Sequence, residues 1–366
     1  MLIGLVVNPI AGMGGRVGLK GTDGEPILSE SVKRGAEPIA GTRTLEALRA
    51  AGPLDHHDFL TAAGDMGGQL LREVGARYEV VYFPSSPTSS KDTVEACRRI
   101  ADRGVRIMVF AGGDGTARNV MDAIDLRIPV MAIPSGVKMH SGVFSVTPEA
   151  SGRLLRGFVS DAFPLRKAEV MDVDEIAFRK GRLSASLHGH MMIPYEPSLV
   201  QPAKSEAGGG STEDEKDEIG QYFAELVERD VIYILGPGTT VDAVARHIGV
   251  EKTLLGVDVV MNGRLIVRDA SEKDLVTTLE SRLEARIVVT PIGAQGFIFG
   301  RGNQQISPAV IRKVGLDNIV VVASPSKLRE TKRLRLDTGD AELDATLKGH
   351  RKVITGYARR SVVKVE

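Results

Sequence analysis

Tryptophan is absent from the 366 residues and aromatic side chains make up 4% of them, too few for the stacking platforms that hold single-stranded nucleic acid. Net charge is zero, with 47 Lys and Arg against 47 Asp and Glu, so no overall field draws the chain to nucleic acid or to an anionic membrane. Any anion site must be local. No stretch approaches the roughly 18 apolar residues of a membrane span. The apolar start, Leu2 to Val7, lacks a basic lead and is too short for a signal-peptide core, so cytoplasmic residence is the expectation. Cys97 is the single cysteine, which excludes an internal disulfide. Val94, Cys97, Ile100 and Ala101 share one helical face, which makes Cys97 a core residue rather than a reactive thiol. A Gly-x-x-x-x-Gly-Lys-Ser/Thr pattern is also missing, and with it a Walker-type phosphate loop.

The length favours two domains, since single cores stop growing before this size. Strands and helices alternate along the first half. Strand Leu2–Val7 and a Gly-rich loop from Asn8 to Gly24 come first. Helix Thr42–Ala50, strand Asp58–Ala62, helix Gln69–Val74 and strand Glu79–Phe83 follow. Ser89 or Ser90 then caps a helix running to Asp102, before strand Arg106–Ala111, helix Arg118–Ile124 and strand Pro129–Ile133. Such alternation implies an α/β, doubly wound parallel sheet over residues 1–160, with ligands at the carboxyl ends of its strands. From about Glu169 the runs Glu169–Phe178 and Leu183–Ile193 have no helix between them, so a second, β-rich domain is expected over 161–366. Within it an α/β portion lies near 219–250: helix Ile219–Glu228, strand Val231–Leu235 and helix Val241–Ile248. The polar stretch 204–218 reads as a flexible segment. The tail 334–366 is extended, with a return to the first domain open.

Gly112-Gly113-Asp114-Gly115-Thr116 ends a buried apolar strand and opens a helix that carries Asn119. The glycines remove Cβ atoms that would hold phosphate off the backbone, and the helix start offers a positive pole. An aspartate there opposes anion binding unless it has chemical work. In phosphoryl transfer an Asp can orient the attacking hydroxyl and accept its proton, or share a magnesium ion. The competing interpretation is an ordinary tight turn with Asp114 capping the helix.

Three further turns follow strands in the same way. Asn8 opens the first, which contains Gly12; Gly18, Gly21 and Gly24 continue this loop where a dinucleotide-binding fold would start its helix, so that fold is excluded. Arg16 and Lys20 on it either face phosphate or are solvated. The second is Pro134-Ser135-Gly136-Val137-Lys138-Met139-His140-Ser141, where Lys138 supplies a fixed charge and His140 a neutral donor to phosphate or ribose. The third is Gly236-Pro237-Gly238-Thr239-Thr240, in which a threonine can cap the next helix or contact nucleotide. His188 and His190 point to one face of a strand without a third ligand to complete a zinc set.

The Gly112 turn resembles the signature shared by NAD kinases, diacylglycerol and sphingosine kinases and, more distantly, phosphofructokinases. The Asn8 loop, the Ser135 to Ser141 stretch and the Gly236 turn are together similar to the divergent archaeal and bacterial branch of the ATP-NAD kinases that includes acetoin-catabolism protein X. The resemblance implies Asp114 as catalytic base. As nucleotide contacts it implies Asn8, Gly12, Gly112, Gly113, Gly115, Thr116, Asn119, Ser135, Gly136, Lys138, His140, Gly236, Gly238, Thr239 and Thr240. It also implies ATP or polyphosphate with magnesium as donor, NAD as substrate, and a homo-oligomer that binds neither nucleic acid nor membrane. Thr290 to Phe297 is similar to a Thr-Pro stretch of ordinary NAD kinases, with Ile292 and Ala294 in place of hydroxyls; Gly300 to Gln305 is either a nucleotide reader or a loop. A lipid kinase, a non-catalytic nucleotide-binding regulator and a sugar kinase remain as alternatives.

Overall fold

The computed structural model describes residues 1–19, 25–137, 139–173, 185–201, 212–281, 283–331 and 333–366. The chain divides into two compact units: Met1–Met13 with Gly21–Lys204, and Gly14–Lys20 with Ser205–Glu366.

Unit 1 contains β1 (Leu2–Val7), α1 (Glu25–Lys33), α2 (Ala40–Ala51), β2 (Asp58–Ala62), α3 (Gly68–Glu73), β3 (Arg77–Tyr82), α4 (Ser90–Asp102), β4 (Ile107–Gly112), α5 (Asp114–Ile124), β5 (Val130–Pro134), α6 (Pro148–Val159), β6 (Leu165–Val173) and β7 (Ala185–Pro194). Five parallel strands lie in the order β3-β2-β1-β4-β5. β4 is buried along its whole length, which is why it reads as a continuous apolar run rather than an alternating one. Helix α4 starts from a capping box between Ser89 and Asp92 and buries Ala96, Cys97, Ile100 and Ala101. The Cys97 thiol is pushed up to about 12 by burial, in keeping with its place in the core. α2 packs against α6, where a side chain at Gly152 would overlap the Ala47 carbonyl.

The chain leaves β1 for β2 and β3, then returns to the other side of β1 for β4 and β5. The reversal puts a topological switch point at the carboxyl ends of β1 and β4, where open α/β sheets bind ligands. Those ends carry Asn8 and Gly113.

Unit 2 contains α7 (Glu213–Glu225), β8 (Ile232–Leu235), α8 (Thr239–His247), β9 (Asp258–Met261), β10 (Arg264–Val267), α9 (Glu272–Thr278), β11 (Ala285–Val289), β12 (Phe297–Phe299), α10 (Pro308–Val314), β13 (Ile319–Val322), α11 (Pro325–Thr331), β14 (Arg335–Leu336), α12 (Ala341–Leu347), β15 (Gly349–Gly356) and β16 (Arg359–Val365). Its seven-stranded mixed sheet runs β10-β9-β8-β11-β13-β15-β16. β8, β11, β13 and β15 are parallel to their neighbours in that order.

Several expected boundaries move. Helix α5 starts at Asp114, not Arg118, because Gly113 is its N-cap and Asp114 supplies an acid in the first turn. The expected boundary at 160/161 falls inside unit 1. The hairpin of β6 and β7 packs onto α5, with Arg118 donating to Asp172 at 2.6 Å and Gly189 leaving room for Met121. Of the polar stretch 204–218, residues 204–211 lie outside the described residues, while Glu213 onward is helix. Thr212 caps it by accepting from the Glu215 amide at 3.2 Å, and three acids in the first turn suit the helix dipole. The tail stays in unit 2, and α12 interrupts its extended run. Among the described residues no helix is long and apolar enough to cross a membrane.

Candidate active site

The site of unit 1 is built from three loops that leave β1, β4 and β5. Asn8 fixes the first. Its amide donates to the Ala111 carbonyl at 3.0 Å, its side-chain oxygen accepts from the Ile10 amide at 3.3 Å, and its Nδ2 donates to Thr116 Oγ1 at 3.0 Å. Asn8 therefore ties the end of β1 to the first turn of α5. Gly12 adopts φ +80°, and any side chain there would overlap the Ser135 carbonyl, so glycine is required for both conformation and space. A side chain at Gly112 would collide with Thr116, which is itself buried.

Gly113 and Gly136 face each other. A Cβ on Gly136 would stand 2.8 Å from the Gly113 Cα, and one on Gly113 would stand 3.2 Å from the Gly136 Cα. The Ser135 amide donates to the Gly112 carbonyl at 2.9 Å, locking the two turns together. Above this glycine pair the amides at the start of α5 have no side-chain cap. Ser135 is 1% exposed, and its hydroxyl has no hydrogen-bond partner among the described residues. Glycine turns joined backbone to backbone, a helix start without a side-chain cap and a buried hydroxyl are the elements from which phosphate sites are built.

Asp114 sits at that helix start, 8% exposed. Its carboxylate does not cap α5. It turns instead to the loop after β5: the Ser141 hydroxyl donates to Oδ1 at 2.6 Å, the Ser141 amide to Oδ1 at 2.9 Å, and the His140 amide to Oδ2 at 2.7 Å. A carboxylate offers about four lone-pair positions, so one on Oδ2 is left. Burial pushes the Asp114 carboxyl up, while the Ser141 and His140 donors and the nearby Arg118 charge pull the other way. The balance is upward, which makes Asp114 a stronger base than an exposed aspartate.

Residues without a local sequence signal hold this arrangement. Gln201, 2% exposed, donates from Nε2 to the Ser141 carbonyl, bracing the loop that presents the two amides. The Ser141 hydroxyl also accepts from the Met171 amide on β6 at 2.9 Å. Arg118 lies one turn along α5 from Asp114, with its buried Nε lacking a partner among the described residues. Only Ser141 lay within a motif visible in the sequence.

Gly115 and Asn119 sit half-buried on α5. Lys138 lies outside the described residues, as does Lys20; Arg16 is exposed. Gly236, Gly238, Thr239 and Thr240 belong to unit 2, where Gly238 is the N-cap of α8. The Gly300 to Gln305 run spends polar groups inside unit 2, with Arg301 paired to Asp337 at 2.8 Å and Asn303 donating to the Ile298 carbonyl at 2.8 Å. His188 pairs with Asp122 at 2.8 Å. Among the described residues no three His, Cys, Asp or Glu side chains form a metal-holding group.

No curated protein matches the chain. Similar solved structures include a putative diacylglycerol kinase from Bacillus anthracis str. Sterne, 14% identical, covering 47% of this chain and 42% of that one with a TM-score of 0.24. A diacylglycerol kinase from the same organism is 13% identical over 54% of this chain and 68% of that one, with a TM-score of 0.25. These overlaps are too loose to bear on function. Two family models match: the ATP-NAD kinase N-terminal domain over residues 3–163 and the ATP-NAD kinase C-terminal domain over residues 228–365. With both domains matched in order along most of its length, the chain belongs to the ATP-NAD kinase family.

Proposed function

We propose that the chain transfers the terminal phosphoryl group of ATP, or of inorganic polyphosphate, to the adenosine-ribose 2′-hydroxyl of NAD, giving NADP. The observation that carries this is the state of Asp114. Its carboxylate is buried beside the paired Gly113 and Gly136 turns, is held by three donors, and keeps one acceptor position for a hydroxyl. Asp114 orients that hydroxyl and takes its proton as the new P–O bond forms. The amides of Gly113, Gly115 and Thr116, with the Ser135 hydroxyl, fit the transferring phosphates. Gly12, Gly112 and Gly136 let the three turns pack closely around Ser135, Thr116 and Gly113. Asn8 positions the first turn through Thr116, and His140 serves through its backbone amide. Asn119 and Lys138 are further nucleotide contacts in this reading. Magnesium, when bound on the phosphates, offsets their charge.

The test is incubation with ATP and magnesium, and separately with polyphosphate, against NAD, NADH, a diacylglycerol, sphingosine and fructose 6-phosphate. NADP as the sole product is the expected result. Failure to form NADP with either donor would overturn the assignment.

A further inference from the structure

A circuit of contacts closes around Asp114 within unit 1. On α5, Asp114 and Arg118 are one turn apart and share a face. That face continues to Met121 and Asp122 and meets the β6–β7 hairpin, where Asp122 and His188 are hydrogen-bonded at 2.8 Å and Gly189 leaves room for Met121. On β6, Met171 and Asp172 are consecutive. The Met171 amide donates to the Ser141 hydroxyl at 2.9 Å, and that hydroxyl donates to Asp114 Oδ1 at 2.6 Å. Asp172 accepts from Arg118 Nη1 at 2.6 Å. Along the helix and along the strand alike, the Arg118 guanidinium is brought toward the Asp114 carboxylate. Side chains of a helix lean toward its N-terminus, so the arginine reaches back to the level of Asp114. Its charge acts on the Asp114 carboxyl, in keeping with that geometry.

As a brace for the fold the pair explains little. The Arg118 and Asp172 side chains are 32% and 40% exposed, and ion pairs that water reaches contribute little to stability. Burying Arg118 Nε, which has no partner among the described residues, is unfavourable in itself. A guanidinium carries five N–H donors. Asp172 takes one of them and fixes the group in place, leaving Nε and Nη2 without a hydrogen bond among the described residues. Asp172 also keeps the guanidinium from folding onto Asp114, so that Oδ2 stays open to a hydroxyl.

We propose that Arg118 is a catalytic residue whose guanidinium meets the oxygens of the phosphoryl group in transit, and that Asp172 is the positioning residue that holds it there. The role rests on the reading of Asp114 as the base of a phosphoryl transfer. In that transfer the acceptor hydroxyl oxygen bonds to the terminal phosphorus and its proton passes to Asp114. The bond from that phosphorus to the leaving phosphate oxygen breaks, with its electron pair on the leaving group. Negative charge spreads over the oxygens of the moving phosphoryl group, and a cation fixed beforehand stabilises it without reorganising. The fork of an arginine can donate to two of those oxygens together.

The test follows label from terminally labelled ATP, and separately from labelled polyphosphate, into NADP, a diacylglycerol, sphingosine, fructose 6-phosphate and water. Phosphoryl transfer is thereby read whatever the acceptor. Arg118→Gln is expected to lower kcat by about 10²-fold or more, and kcat/KM by the same factor, the mark of a contact made only in the transition state. Arg118→Lys keeps the charge without the fork and is expected to fall between Arg118→Gln and the wild type. Asp172→Asn is expected to lower kcat less than Arg118→Gln. The double variant is expected to be no slower than Arg118→Gln alone, since Asp172 acts through Arg118. Circular dichroism checks that each variant is folded. Wild-type kcat in Arg118→Gln, or a raised KM with kcat unchanged, overturns the catalytic role of Arg118. Losses that multiply in the double variant overturn Asp172 as its positioning residue. Undiminished turnover in Asp114→Asn beside a loss in Arg118→Gln sinks the base and keeps the cation. Label that passes to an acceptor other than NAD overturns the choice of NAD, with Arg118 then tested on that acceptor, and label that the wild type passes to nothing overturns both.

Discussion

Ser141→Ala removes the shortest of the three contacts to Asp114 while leaving the backbone in place. Ser141 is fully buried. Its hydroxyl serves two partners, donating to Asp114 Oδ1 at 2.6 Å and accepting from the Met171 amide at 2.9 Å. A hydrogen bond to a charged group contributes about 1.5–3 kcal/mol, and a buried amide left unpaired costs about 1–3 kcal/mol. Together they place the destabilisation at about 2.5–6 kcal/mol, read as a lower urea midpoint. The kinetic effect has a definite sign. The lost contact favoured the ionised carboxylate, so burial opposes fewer donors and the Asp114 carboxyl rises further. If Asp114 is the base, the acid limb of kcat/KM for NADP formation moves to higher pH in Ser141→Ala. The His140 and Ser141 amides still orient the carboxylate, so turnover at the alkaline plateau survives better than at pH 6. An acid limb that stays in place, or moves to lower pH, would refute the assignment of that limb to Asp114.

Gly12→Ala forces a side chain into a left-handed φ and against the Ser135 carbonyl. A cost of about 1–2 kcal/mol for the conformation and about 1–3 kcal/mol for overpacking is expected, together with loss of NADP formation; calorimetric melting and rate measurements check both. Asp92→Asn strikes a purely structural carboxylate, bonded by Ser85, Ser89 and Tyr82. Burial pushes the Asp92 carboxyl up, but the Ser85 and Ser89 donors outweigh it and hold it well below the usual range. A depressed folded-state value gives stability that is present above the unfolded value, near 3.9, and is lost as pH falls. The variant should therefore unfold at lower urea than the wild type at pH 7, with the gap closing toward pH 3 and the rate per folded molecule unchanged.

The site's glycine framework was legible because each part is local. A buried apolar strand running into glycines and then a helix defines its own geometry, and Asn8, Gly12, Gly112, Gly113 and Gly136 fall where three such turns converge. Ser141, Gln201 and Arg118 take their roles from contacts with residues far along the chain: Gln201 reaches the Asp114 loop from beyond β7, and Arg118 meets Asp172 on β6. No spacing rule encodes those meetings. The same reason hides the packing of the β6–β7 hairpin on α5; the hairpin has no feature of its own to show that it belongs to the compact unit 1. The first turns of α7, ahead of the expected start at Ile219, were hidden by composition. Their acids suggested a solvated segment, although Thr212 and the buried Ile219 and Phe223 give the helix a cap and an apolar face.

The most direct measurement is the rate of NADP formation from ATP and NAD by Asp114→Asn beside the wild type, with both shown to be folded by circular dichroism. Asparagine keeps the size of the side chain but cannot take the proton. A fall of about 10²–10⁴-fold in kcat is predicted for loss of a general base. Turnover equal to that of the wild type would contradict a catalytic Asp114.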